Sequence, residues 1–195
     1  MKSILNYHSK ILNKNSWKEF EAYFEFGGKC SGCWCMNHRL PIGLDFKGEA
    51  AKLAMKQLVL SNRVFGILAF VENDRVPVGF CALDRKNTLP GHDCIANKIT
   101  SPNSTWSIHC TTSRQDYKSK GVESYLLDEV TKLCKSMSGS NLEVYPEPKS
   151  IEGEEFKTWN TFNGYESYFL QNNFKKPQET PPELSNFFSI LNKKL

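Results

Sequence analysis

The sequence predicts a mixed α/β domain of the α+β kind, in which strands and helices alternate without internal repeats. Three observations carry that expectation. Two β-rich runs, 64–71 and 76–84, are separated by a polar connection of hairpin length. A third run, 105–113, leads through a turn into an apolar stripe at helical spacing. A last strand at 141–145 precedes a helical pattern over 161–173. With 195 residues, 39% hydrophobic and 24% charged, the chain is long enough to bury a core as one domain. The expected organisation is N-terminal helices and a Cys-rich loop over 1–62, a core over 63–177 and a C-terminal tail over 178–195.

In chain order, Ser16 and Glu19 form a capping-box pattern around Trp17, with Phe20 and Phe24 following at helical spacing. Gly27 and Gly28 supply the stop of this short first helix. Residues 29–47 mix Cys, Gly, Trp, Met and Pro41 without periodicity, which predicts an ordered loop over a cleft or core edge. A second helix follows from about 48 to 60. The hairpin connection is Glu72, Asn73, Asp74 and Arg75, and Pro77 favours an edge or a strand start. Residues 86–103 are polar and rich in turn formers, so they read as a surface loop. The stripe after the third run is Val122, Leu126, Val130, Leu133, Cys134 and Met137, the buried face of a helix. Pro146 and Pro148 stop the next strand, while Tyr165, Tyr168, Phe169 and Asn172 share helical spacing ahead of Asn173, a suitable left-handed stop. In the tail, Leu184, Phe187, Phe188, Ile190 and Leu191 are expected to pack back on the domain.

Charge and composition narrow the function classes. A net charge of +4, scattered apart from a cluster near Lys118, argues against nucleic acid as a partner. The longest apolar runs are strand-sized, short of the roughly 20 residues of a membrane span, and 1–15 lacks the apolar core of a signal peptide. A cytoplasmic protein, monomer or homodimer, is therefore expected. Seven cysteines, an odd number, fit reduced thiols better than a disulfide framework. Cys30, Cys33 and Cys35 with His38 form a C-x2-C-x-C-x2-H string, which leaves a zinc site, a reactive thiol and plain structural thiols open. The string lacks the second, separated ligand pair of the usual zinc signature, so no metal is expected.

The segment with the clearest chemistry is the turn Lys118, Ser119, Lys120 and Gly121. A helix N-terminus offers unpaired N–H groups and partial positive charge, and a glycine in front of it lets an anion approach the backbone. This turn meets both needs, although an ordinary strand-to-helix loop with solvated lysines has the same residues.

The surrounding residues resemble the acetyl-CoA motif of the GNAT N-acetyltransferase superfamily: Trp106 through Leu127, with Tyr117, Lys118, Gly121, Leu126 and Leu127. Gly66-Ile-Leu-Ala-Phe-Val71 with Pro77-Val-Gly-Phe-Cys-Ala82 looks like the family's central hairpin. Phe162-Asn-Gly-Tyr-Glu-Ser-Tyr-Phe169 running to Asn173-Phe174 looks like its last helix. Cys33-Trp-Cys-Met36 with Arg39 resembles the signature of one branch carrying a Cys-x-Cys-Met motif. The resemblance implies a mostly antiparallel mixed sheet flanked by helices, acetyl-CoA as cosubstrate, and direct attack by a small-molecule or peptide amine. It further implies that backbone groups of Thr111, Thr112 and Ser113 bind the pantetheine arm, and that Lys118, Ser119, Lys120, Gly121, Val122 and Glu123 hold the pyrophosphate.

Several positions depart from the family pattern: Lys118 keeps the positive charge without the guanidinium fork, Thr111, Thr112 and Ser113 stand where apolar residues are common, and Glu123 and Phe169 change the chemistry. Glu123 stands where Gly or Ala is preferred, and repels a pyrophosphate unless it turns away or pairs with Lys120. Phe169 stands where many members carry the tyrosine that protonates the leaving thiolate, so Tyr168 and Tyr165 become the substitutes, with Tyr168 the chosen one. For the base, Glu143 is preferred over His109 and Asp84. The departures keep a second reading open, a degenerate domain that binds acyl-CoA or a protein partner without turnover. A third reading, a zinc-stabilised interaction or RNA-binding protein, has the scattered charge against it.

Overall fold

Period-two burial sorts the central strands between two apolar layers, and those layers decide where the helices go. The computed structural model describes residues 5–26, 32–39, 46–63, 65–89, 103–146, 166–177 and 190–195. Among these, six strands form one sheet in chain order: β1 (Tyr7–Ile11), β2 (Phe65–Val71), β3 (Gly79–Arg85), β4 (Thr105–Ser113), β5 (Asn141–Val144) and β6 (Leu191–Lys194). All neighbours are antiparallel except β4 and β5, which run parallel. Ile67, Ala69, Cys81, Leu83, Trp106 and Ile108 point to one face, and Leu68, Phe70, Phe80, Ala82 and Cys110 to the other.

On the first face lies α3 (Val122–Ser136), which buries Val122, Leu126, Leu127, Val130 and Cys134, with Leu133 and Met137 half-buried at its margin. The predicted stripe is thus the packed one. Beside it sits α4 (Glu166–Gln171), anchored by Phe169 and Phe174. Asn173 takes the left-handed conformation expected of a stop, with φ 66°. The second face is covered by α1 (Trp17–Phe26) and α2 (Gly48–Leu60). Between them Trp34 rests against Trp17, Phe20 and Phe24.

The differences from expectation have local causes. Neither half of the capping box forms: the Ser16 hydroxyl donates to the Ile11 carbonyl at 2.9 Å, and Glu19 pairs with Lys10 at 3.0 Å. β3 starts at Gly79 because Pro77 has no N–H and Asp74 holds the Val76 N–H in a turn at 3.1 Å. Lys86, expected in a surface loop, is fully buried. β1 and β6 were not expected as strands; both are short and β1 is mostly polar, so neither shows an apolar alternation. Leu191 of β6 and Ile190 just before it are buried. Gly27, Gly28, Cys30, Pro41, Pro148, Tyr165, Leu184, Phe187 and Phe188 lie outside the described residues. No helix among the described residues is long and apolar enough to cross a membrane.

Candidate active site

The strand–turn–helix segment has the geometry of an anion cradle. Arg114 ends β4 and is fixed by Asp74 at 2.8 Å and Asp116 at 2.6 Å. The chain then passes through a 3-10 turn, Gln115–Tyr117, and two left-handed residues, Ser119 (φ 58°) and Gly121 (φ 92°). Gly121 is the N-cap of α3, with no side chain capping the helix. A Cβ built there would meet no atom of the described residues within 4 Å. The first N–H groups of α3 thus have no side-chain cap, and the positive end of the helix dipole lies behind them. Close packing sets the position of that end, because a Cβ on Gly79 would come within 2.4 Å of the Val122 side chain. Tyr7 of β1 pins the turn from the other side, donating its hydroxyl to the Lys120 carbonyl at 2.9 Å.

Glu123 neither points away from the sheet nor pairs with Lys120. Its carboxylate accepts a hydrogen bond from the Ser113 hydroxyl, and the Lys120 ammonium lies 4.8 Å over the Tyr117 ring. The carboxylate still sits in the first helical turn. Replacing it with glutamine keeps an acceptor for Ser113 and removes one charge, a difference of about 1 kcal/mol at a separation of ~4 Å in water. Glu123→Gln is expected to tighten acetyl-CoA binding about fivefold in low-salt titration calorimetry, with the gain shrinking in 1 M salt.

Next to this cradle the sheet opens. β4 and β5 pair from Thr105–Asn141 to Ile108–Val144, and β4 then continues without β5 through Ser113. The parting coincides with a bulge: Ala82 faces Cys110 and Leu83 faces Ile108, so His109 is the extra residue. His109 and Cys110 consequently point to the same face, that of α1 and α2. The side chains of the predicted pantetheine residues are engaged across the sheet. Thr111 contacts the Cys81 thiol at 3.4 Å, Thr112 shares a hydrogen bond with Tyr23 at 2.9 Å, and Ser113 donates to Glu123. Their backbone runs along the wedge that β5 leaves.

On the α1/α2 face a row of polar side chains crosses the central strands. Asp84, Ser107 and Glu143 are neighbours in register on β3, β4 and β5, and all are buried. Glu143 is paired with Lys86 at 3.0 Å, both fully buried, and accepts a hydrogen bond from Tyr145. Burial pushes the Lys86 ammonium below its ordinary value against the pull of Glu143, and burial beside Glu143 holds the Tyr145 phenol well above its own. Asp84 is paired with Arg39 at 2.6 Å, and burial raises its carboxyl to about 6 despite the guanidinium. His109 Nε2 lies 3.7 Å from Asp84, and the His38 ring stacks on His109 at 5.5 Å. Of these residues the sequence singles out Glu143, His109 and Asp84, each by itself, and not Lys86, Ser107 or Tyr145. Their assembly depends on the register of three strands and on the loop carrying Arg39.

Tyr168 lies on the α3 face, its hydroxyl 3.5 Å from Ser124 Oγ in the first turn of α3. Burial raises its pKa, which keeps the phenol protonated. Phe169 is packed in the core. Cys35 is buried beneath Trp34, and Cys33 is half-buried. Among the described residues no group of three His, Cys, Asp or Glu side chains is placed to hold a metal, and Cys30 lies outside them.

This architecture is shared with solved acetyltransferases. The GNAT domain of S. lividans PAT superposes with a TM-score of 0.60 at 10% identity, covering 98% of this chain and 94% of that one. The acetyltransferase from Thermus thermophilus gives 0.57 at 11% identity, covering 98% and 99%. N-acetylglutamate synthase from Neisseria gonorrhoeae, solved with coenzyme A and L-arginine, gives 0.51 at 11% identity, covering 97% of this chain and 33% of that one. The chain therefore has the GNAT acetyltransferase fold, with its mostly antiparallel sheet flanked by helices. No family model and no curated protein matches the sequence.

Proposed function

We propose that the protein is an acetyl-CoA-dependent N-acetyltransferase acting on a small-molecule or peptide amine. The observation that carries this reading is the uncapped, glycine-fronted N-terminus of α3 at the end of a strand that has parted from its neighbour. On this fold the two features line up as a groove for a long ligand ending in phosphates. The residues fit acetyl-CoA: Lys118, Ser119, Lys120, Gly121, Val122 and Glu123 surround the place for its pyrophosphate. The backbone of Thr111, Thr112 and Ser113 borders the place for its pantetheine arm. When bound, acetyl-CoA supplies a thioester carbonyl open to attack by an amine.

Binding and orientation by this chain would provide most of the rate advantage. The amine nitrogen forms the new C–N bond as the C–S bond breaks. One proton of the original ammonium goes to a base and then to solvent, and a second ends on the sulfur. Tyr168, protonated and beside the α3 N-terminus, is the proposed donor to sulfur. Tyr168→Phe should lower kcat about tenfold to a hundredfold with acetyl-CoA affinity unchanged, as read by thiol release and calorimetry. Glu143, the base expected from sequence, already carries Lys86 and Tyr145 on its two oxygens, which favours a framework role.

The reading is tested by calorimetric titration with acetyl-CoA, then by thiol release over a panel of amines and N-terminal peptides. Saturable binding with amine-dependent thiol release is expected. Binding with no turnover on any amine would favour the degenerate acyl-CoA binder, a reading to which Glu123 lends a specific observation. No binding would remove both.

A further inference from the structure

We infer that His109 and Asp84 form a proton relay, taking the proton of the acceptor ammonium at the β4 bulge and passing it to a solvent cleft on the α1/α2 face. The inference rests on the acetyl-transfer reading and assigns to it a base other than Glu143.

Four observations carry it. His109 is the bulge residue at the point where β4 and β5 part, so its imidazole is placed by the same distortion that opens the wedge. Its Nε2 stands 3.7 Å from the Asp84 carboxylate, a separation that a small rotation of either side chain closes to a hydrogen bond. Asp84 in turn forms part of the wall of a cleft of about 290 Å³, lined also by Arg39, Asn62, Arg63, Thr88 and Leu89. The remaining buried carboxylate in the row is committed to Lys86 and Tyr145.

The charges around the pair suit a relay. Arg39 holds Asp84 at 2.6 Å and anchors itself on the Cys35 carbonyl, so the carboxylate keeps its place as its charge changes. His38 stacks on His109 from the same loop, and the Cys35 thiol lies near Asp84. Among the described residues lining the cleft, Arg63 is the remaining charge. Lys86, Glu143 and Tyr145, next along the face, pair among themselves. Burial raises the Asp84 carboxyl to about 6, which lets this carboxyl take up and release a proton close to neutral pH. No atom is left over: the ammonium loses one proton to His109, Asp84 accepts it, and water in the cleft removes it.

The test uses the full chain and its Asp84→Asn and His109→Gln variants, with an amine identified in the panel above. Each variant should lower kcat about tenfold or more at pH 7, with acetyl-CoA affinity unchanged. The defect should fade at high pH, where the amine is already deprotonated. Nitrogen-15 NMR of the histidines should show the His109 midpoint falling by about one pH unit in Asp84→Asn, because the carboxylate that favours the imidazolium is gone. Thr88→Trp, at an exposed position of the cleft, should give the same pH-dependent defect in a chain whose buried pair is untouched, and it answers the question if Asp84→Asn does not fold. A defect of equal size at every pH, or an unmoved His109 midpoint with acetyl-CoA binding intact, overturns the relay alone. Failure of the wild-type chain to bind acetyl-CoA overturns the transferase reading, and an unmoved midpoint then overturns the pair as well.

Discussion

Lys86→Met will lower the unfolding free energy by about 3–5 kcal/mol at pH 8, the largest stability loss expected of a single substitution on the polar face. Lys86 and Glu143 are both fully buried and 3.0 Å apart, so removing the ammonium leaves a carboxylate inside the protein without its ion-pair partner. Methionine fills similar volume, which keeps a cavity from explaining the effect. The pH dependence identifies the cause. An unpaired buried carboxyl has its folded-state pKa raised above the unfolded value, so stability is lost as pH rises through that value and partly regained at pH 5. Denaturant unfolding at the two pH values measures this directly. The double variant Lys86→Met with Glu143→Leu should recover most of the loss, since an apolar pair can replace a buried ion pair at little cost. Equal losses at both pH values with no recovery would show that the pair is not an electrostatic unit.

Gly121→Val should act on binding more than on folding. At φ 92° a β-branched residue is strained by about 1–3 kcal/mol, and the helix behind it absorbs part of that by shifting its first turn. A Cβ at this position meets no atom of the described residues within 4 Å, so the first atom of the new side chain adds no clash to the strain. It does occupy the space in front of the first N–H groups of α3. Acetyl-CoA affinity should fall at least tenfold, about 1.4 kcal/mol, in calorimetry. Gly121→Asn separates the contributions, because asparagine tolerates the left-handed region and should restore stability more fully than affinity.

What was legible in the sequence was local. The stripe from Val122 to Cys134 and the bounds of α2 and β4 follow from periodicity over a few turns or a single run, and Gly121 announces the turn by its residue type. The hairpin was legible except for its start, where Pro77 and Asp74 delay pairing to Gly79. β1 was hidden because an edge strand with Ser9 and Lys10 need not alternate. The polar row was hidden for a different reason. Lys86 sits in a stretch whose composition says surface, and it is buried only because Glu143 lies two strands away in space. A glutamate between Leu142 and Val144 in a buried strand was the one signal pointing to a buried partner. His109 looked like a lone histidine because a bulge cannot be read from one strand. It exists only in the register of β4 against β3.

The hydroxyl of Tyr7 on the Lys120 carbonyl ties the first described strand to a turn 113 residues later, and Ser9 repeats the tie on Glu129 of α3 at 2.7 Å. Among the described residues β1 is held to the sheet on one side only, by β2, and an edge strand opens more readily than a central one. When that edge frays, the turn loses its pin. Ligand grip and order at the start of the chain are therefore reciprocal quantities, each strengthening the other by the same free energy. Seen this way, the first described strand is a clasp on the turn proposed to hold the cofactor, as well as the margin of a sheet.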